Sequence, residues 1–387
     1  MAHVQLDQVW KYYGNVEAVR DLTLECEDGK MLALLGPSGC GKSTTLKMVA
    51  GVEQVSHGNI LIGDRSVKDL APGQRNIAMV FEDYALYPHL SVRENIAFPL
   101  KVRKATTRHI RSRVDDAIAL LNLGDVADDN VKALSGGAQQ RVSIGRALVR
   151  DPELLLFDEP LSHLDADQKV YLRSEIKRLQ QSIGLTSVLV THDQTEAVAM
   201  SDKVAVMNDG VLQQVATPGE LYERPANLFV ANFIGEPPMN LISAKLSRKG
   251  QLLHLCGQGW SMPLTEAQSH CLDYCGSATE ITIGIRPEHL SVGPPGAVPQ
   301  GQSTSDGSIS GRVFFRELRG DADVLTVTID HGTTGGGDQR DSISTVIAEI
   351  DGPSSINVGD QLVLRMNADR LCIFDANNGT NLLLENR

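Results

Sequence analysis

Nine residues near the amino terminus, Gly36-Pro37-Ser38-Gly39-Cys40-Gly41-Lys42-Ser43-Thr44, constrain this chain more than any other part of it. Gly36 and Gly41 enclose four residues and are followed by lysine and a hydroxyl residue, the phosphate-loop pattern. The apolar run Met31–Leu35 before it reads as a buried strand, and Thr44–Ala50 after it reads as a helix. A glycine-rich turn between them can wrap backbone N–H groups around a polyphosphate, and the helix N-terminus adds positive potential. Lys42 would reach the β- and γ-phosphates, and the Ser43 hydroxyl would take a Mg²⁺ position. A nucleoside triphosphate is the expected ligand.

A second element fits the first. Leu154–Phe157 is an apolar strand that ends in Asp158 and Glu159. Behind a phosphate loop, Asp158 is placed to hold Mg²⁺, and Glu159 to orient and deprotonate an attacking water.

The 387 residues exceed one typical domain, so roughly two or three are expected. Residues 1–235 alternate strand-like and helical runs, an α/β pattern. Strands are expected at Val4–Val9, Leu22–Cys26, Met31–Leu35, Ile77–Phe81, Leu154–Phe157, Ser187–Thr191 and Val204–Asn208. Thr107–Gly124 spaces Ile110, Val114, Ala117, Ile118 and Leu121 as an amphipathic helix closed by glycine. It lies in a stretch without strand signal, so a helical insert is expected at about 83–150. From 236 to 387, short alternating segments separated by Gly/Ser/Asp-rich turns indicate an all-β module of small barrel type. Its strands are expected at Leu252–Leu255, Ile281–Ile285, Gly311–Phe315, Val324–Ile329, Ser344–Ile350, Gln361–Met366 and Leu371–Phe374. Gly301–Ser310 and His331–Ser342 read as turns, the latter a long hairpin loop around Gly335-Gly336-Gly337.

The formal charge of −12 argues against nucleic acid as the main partner. No apolar stretch approaches the roughly 20 residues needed to span a bilayer. Met1–Trp10 reads as a strand and not a signal peptide, which places the chain in the cytosol unless another chain holds it at a membrane. Six scattered cysteines read as free thiols, including Cys271 and Cys275 beside His270.

Leu134-Ser135-Gly136-Gly137-Ala138-Gln139-Gln140-Arg141 resembles the LSGGQ signature of ABC transporter ATPases. Ser162-His163-Leu164-Asp165 resembles the D-loop of that family, and His192 matches its switch histidine. Tyr13 matches the aromatic that stacks on adenine. The likeness narrows to the carbohydrate-uptake ABC importers, the family of the maltose and glycerol-3-phosphate importer ATPases. It is carried by Tyr84–His89, Thr191–Ala197, Tyr222–Asn227, Phe233–Gly235 with Met239-Asn240, and Ile283–His289. It covers the whole chain and is densest in 1–240.

This resemblance implies a phosphate-loop α/β ATPase domain with a helical subdomain, then a regulatory barrel of oligonucleotide-binding (MOP/TOBE) type. It implies ATP and Mg²⁺ as ligands, and a homodimer in which Ser135, Gly136, Gly137 and Asp165 serve the partner's nucleotide. It also implies two transmembrane permease subunits, an extracytoplasmic solute-binding protein and a peripheral seat on the cytoplasmic face of the inner membrane. Carbohydrate-type solutes are favoured. Importers of polyamines, sulfate or iron share the layout. A soluble ABC ATPase acting on nucleic acid or ribosomes is the distant alternative; the single phosphate loop and 4% aromatic content weigh against it.

Two positions depart from the family. Glu82 stands where the family has Gln, and a carboxylate there can still ligate Mg²⁺. Ala138 replaces the signature Gln, which should weaken nucleotide contacts without abolishing hydrolysis.

Overall fold

The computed structural model describes residues 2–249, 252–272, 280–293, 307–329 and 345–384. Two compact units divide the chain, Met1–Pro218 and Gly219–Arg387.

In the first unit, strands β1 (Val4–Tyr13), β2 (Val16–Cys26), β4 (His57–Ile62) and β5 (Arg65–Ser66) form an antiparallel sheet in the order β2-β1-β4-β5. A second sheet runs β10-β9-β3-β8-β7-β6. It comprises β3 (Met31–Leu35), β6 (Ile77–Val80), β7 (Leu154–Asp158), β8 (Ser187–Thr191), β9 (Lys203–Asn208) and β10 (Val211–Ala216). All its pairs are parallel except β9–β10. The interior strands are continuous apolar runs, as burial on both faces demands. Helix α1 (Lys42–Ala50) shares a core with both sheets through Leu46, Met48 and Val49.

Buried Arg75 anchors the far end of α1. Its guanidinium donates to the carbonyls of Met48 (2.7 Å), Val49 (2.9 Å), Leu70 (2.9 Å) and Lys68 (3.2 Å), though Arg75 is only 2% exposed. Arg75→Met should therefore leave buried carbonyls unpaired and cost about 2–4 kcal/mol. A lowered urea midpoint for the first unit would report it, and an unmoved midpoint would refute it.

Helices α2 (Val92–Val102), α3 (Thr107–Leu120) and α4 (Gly136–Leu148) lie between β6 and β7 in the chain. Helix α3 stops earlier than its glycine suggested, because Asn122 takes the left-handed position (φ +51°) that ends it. Helices α5 (Ala166–Ile183) and α6 (Gln194–Met200) flank β8.

In the second unit, α7 (Pro218–Glu223) and α8 (Leu228–Phe233) precede two five-stranded antiparallel sheets. One contains β11 (Asn240–Lys249), β12 (Leu252–Gly257), β13 (Trp260–Pro263), β14 (Glu280–Ile285) and β20 (Cys372–Asp375). The other contains β15 (Leu290–Gly293), β16 (Ser308–Leu318), β17 (Ala322–Ile329), β18 (Thr345–Asp351) and β19 (Gln361–Met366). Both face one core that includes Leu246, Leu255, Ile283, Leu325, Leu364 and Ile373. A short helix, α9 (Glu266–Cys271), lies between β13 and β14 in the chain.

The change of texture near Gly235 and the division at Pro218 bracket α7 and α8. Arg286 explains why these helices belong with the strands. Its buried guanidinium donates to the carbonyls of Tyr222 (2.7 Å) and Ile234 (2.5 Å) and lies 4.0 Å over the Tyr222 ring. Ser308–Ser310, expected as turn, pair with β19 as the start of β16. The Gly335–Gly337 loop, Cys275 and most of Gly301–Ser310 lie outside the described residues.

Candidate nucleotide site

The phosphate loop springs from the buried end of β3, wedged between β8 and β9. A side chain at Gly36 would meet the Met207 carbonyl at 2.2 Å, so only glycine allows the loop to leave the sheet here. Gly41 precedes α1 with φ +101°, a backbone state costly for other residues. No side chain caps α1 at its N-terminus, which leaves the first-turn N–H groups available to an anion. Lys42 is 5% exposed, and its ammonium donates to the carbonyls of Gly36 (2.7 Å) and Pro37 (2.9 Å). The loop is thus curled around a cation. The Cys40 thiol lies 3.7 Å from that ammonium; burial pushes its pKa up, against the pull of Lys42.

Asp158 ends β7, and Glu159 follows with φ +46° and its N–H on the Val190 carbonyl (2.9 Å). That turn is strained for a non-glycine residue. It sends the Glu159 carboxylate to His192, with Oε2 2.9 Å from Nδ1. His192 directly follows β8, so neighbouring parallel strands deliver both groups. Burial holds the Asp158 carboxyl above its ordinary range; Lys47 opposes this, while the charges of Glu159 and Glu82 add to it. Asp158 thus feels the charges of both other carboxylates, although among the described residues no three His, Cys, Asp or Glu side chains stand close enough together to hold a metal ion by themselves.

Ser162 links two of these groups. Its hydroxyl lies 2.9 Å from the Glu159 carbonyl and 3.2 Å from Glu82 Oε1, while His163 Nε2 is 3.7 Å from the same Glu82 oxygen. Ser162 belongs to the D-loop-like segment, but this contact with Glu82 has no signature in the sequence, because it depends on how the turn after Glu159 folds back toward residue 82.

The segment around Glu82 is held by α4. Tyr84 and Ala85 adopt successive left-handed conformations, φ +60° and +47°. Ser143 Oγ (3.0 Å) and Arg146 Nη2 (2.8 Å) donate to the Tyr84 carbonyl, and Arg146 also reaches the Ala85 carbonyl. At the start of α4, Ser135 is the N-cap and accepts from the Ala138 N–H at 3.4 Å. Asp165 caps α5 in the same way, accepting from the Gln168 N–H at 3.0 Å. Among the described residues, no hydrogen bond or ion pair joins Ser135, Gly136, Gly137 or Asp165 to the phosphate loop. Glu159 meets His192 directly, and Ser162 and His163 of the D-loop reach Glu82, while among the described residues Ser135, Gly136, Gly137 and Asp165 make no such contact with Glu159 or His192.

Tyr13 lies at the end of β1, 43% exposed, with Val16 as its cross-strand partner.

Comparison with known proteins decides the family. The ABC transporter family model matches residues 19–162, and a MalK OB fold domain model matches residues 235–290. The xylose/arabinose import ATP-binding protein XacK of Haloferax volcanii is 43% identical over 98% of this chain and 95% of its own length. The chain belongs to the ATP-binding subunits of ABC importers. The trehalose/maltose import ATP-binding protein MalK of Thermococcus litoralis is 50% identical over 75% of this chain and 79% of its own. The trehalose import ATP-binding protein SugC of Mycobacterium tuberculosis is 41% identical over the full length of both. Among solved structures, cbiO1 of Clostridium perfringens, part of the ABC transporter complex cbiONQ, aligns with TM-score 0.53 at 27% identity. It covers 56% of this chain and 89% of that one. As a member of this family the chain binds nucleotide and is an ATPase coupled to transport, with an ATPase domain followed by an OB-type β domain.

Proposed function

We infer that this chain hydrolyses ATP to drive uptake of a carbohydrate-type solute through two separate permease subunits, supplied by an extracytoplasmic binding protein. The reading of the chemistry rests above all on the Glu159–His192 contact, 2.9 Å long, beside Asp158. The solute class rests on relatives named for trehalose, maltose, xylose and arabinose import.

In this reading Gly36 through Thr44 wrap the phosphates, Lys42 turns from its own loop carbonyls to phosphate oxygens, and Tyr13 carries the adenine. Ser43, Asp158 and Glu82 would hold Mg²⁺, which when bound neutralises phosphate charge. Glu159 accepts the proton of the attacking water. His192, held by Glu159, would sense the γ-phosphate. Two copies pair, so that Ser135, Gly136, Gly137 and the Asp165 loop of each complete the other's site. The separation of these residues from the phosphate loop within one chain supports that arrangement. Binding and loss of the γ-phosphate then shift the pair between closed and open states.

No helix among the described residues is long and apolar enough to cross a membrane. A peripheral position on the cytoplasmic face, held by the permeases, accords with that. The cleft of about 640 Å³ lined by Phe81, Ala85, Tyr87, Phe98 and Arg146 offers those subunits an apolar-floored seat next to Glu82. Co-purification from membranes with two hydrophobic subunits tests the assignment; retention on ribosomes or DNA at moderate salt would overturn it.

Glu82 gives a sharper test of the metal set. A carboxylate attracts Mg²⁺ more strongly than an amide, so Glu82→Gln should raise the Mg²⁺ concentration for half-maximal hydrolysis roughly threefold to tenfold. An unchanged Mg²⁺ titration removes Glu82 from the metal set.

A further inference from the structure

Lys11 is an unusual residue for β1: a lysine 8% exposed, two residues before Tyr13 and therefore on the same face of the strand. Its ammonium lies 4.7 Å from the centre of the Tyr13 ring. The same ammonium pairs with Glu53 Oε2 at 2.9 Å and donates to the Gln54 carbonyl at 2.9 Å. Glu53 is itself tied to the phosphate-loop helix, since its N–H donates to the Lys47 carbonyl in the last turn of α1 (3.1 Å). One cation thus joins an exposed aromatic ring to the end of the helix whose beginning is the phosphate loop.

We propose that Lys11 and Glu53 are positioning residues for nucleotide binding, which lock the Tyr13 ring as a one-sided platform for the nucleobase at a fixed span from the phosphate loop. The inference rests on the reading of Tyr13 as the base platform. Its physical content is threefold. The cation occupies one face of the ring, so the other face is left for a flat ligand. Drawing π-density toward the ammonium leaves that open face better suited to an electron-rich base. The Lys11–Glu53 pair also removes ring motion before the ligand arrives, so less ordering is needed on binding. Val16, 65% exposed across from Tyr13, extends the apolar surface beside the ring. No base-edge hydrogen bonding is involved in the device. It therefore favours a purine over a pyrimidine by stacking area, and it acts on affinity instead of chemistry.

The test uses the purified full chain with ATP and, as a ligand lacking a base, inorganic tripolyphosphate. Lys11→Met keeps the length of the side chain and removes its charge. It should raise KM for ATP about threefold to tenfold and leave kcat within about twofold. The inhibition constant of tripolyphosphate should stay the same, because the phosphate loop is untouched. Lys11→Arg should restore most of the loss. Glu53→Gln, which keeps the fold while weakening the grip on Lys11, should give a smaller rise in KM of the same kind. An unchanged KM in both Lys11→Met and Glu53→Gln overturns the proposal, and so does a parallel weakening of tripolyphosphate, which would mean general damage. Tyr13→Ala separates the two readings. If it leaves KM unmoved, Tyr13 is not the platform; if it raises KM while Lys11→Met does not, only the role of Lys11 fails.

Discussion

Glu159→Gln is expected to lower steady-state ATP hydrolysis by at least about a hundredfold while leaving ATP binding intact, and to accumulate an ATP-loaded dimer. The left-handed backbone at Glu159 and its N–H bond to the Val190 carbonyl fix where this side chain points, and the substitution preserves its shape. What it removes is the basic oxygen 2.9 Å from His192. An amide cannot take a proton from water, so the clamp would close and fail to reopen. Single-turnover hydrolysis together with sedimentation of the ATP-loaded protein measures both halves. Hydrolysis at the parental rate would take Glu159 out of the base role. A monomer under saturating ATP would defeat the shared-site arrangement.

The second large effect concerns binding. Lys42→Ala should raise the dissociation constant for ATP at least about a hundredfold, or about 2.7 kcal/mol. The buried ammonium now satisfies the Gly36 and Pro37 carbonyls. Without it those oxygens would face incoming phosphates, adding repulsion to the lost attraction. Titration with a fluorescent ATP analogue measures the loss. The thermal stabilisation that ATP gives the parent should vanish in the same variant, because a ligand stabilises only to the extent that it binds. Affinity within threefold of the parent would rule out the expected role.

The residues that define the site were readable in the sequence where local pattern and local geometry coincide. Gly36 through Gly41 is one turn between β3 and α1, with Lys42, Ser43 and Thr44 opening that helix, and Asp158-Glu159 closes a buried strand, so local spacing alone marks these residues as candidates. Strands with hydrophobic alternation interrupted by polar residues were harder. His57–Ile62 was missed because only Ile60 and Ile62 face the core fully, and β10 because all its residues are half-buried. Contacts that join distant segments could not be read at all. Ser162 meeting Glu82 spans 80 residues, and Lys11 meeting Glu53 spans 42. Ile283–His289 was recognisable as a likeness, but its reason is physical and long-range. Arg286 gathers carbonyls from Tyr222 to Ile234 into the second unit.

The carbonyls of Tyr84 and Ala85 are gripped by Ser143 and Arg146, and the helix bearing those two residues begins at Gly136, beside Ser135. A displacement of the loop after Glu82 would therefore pull on the helix that carries the serine tip. On the proposed reading, a permease leaning on this segment would steer the surface offered to a second copy, gearing cargo outside to clasping inside.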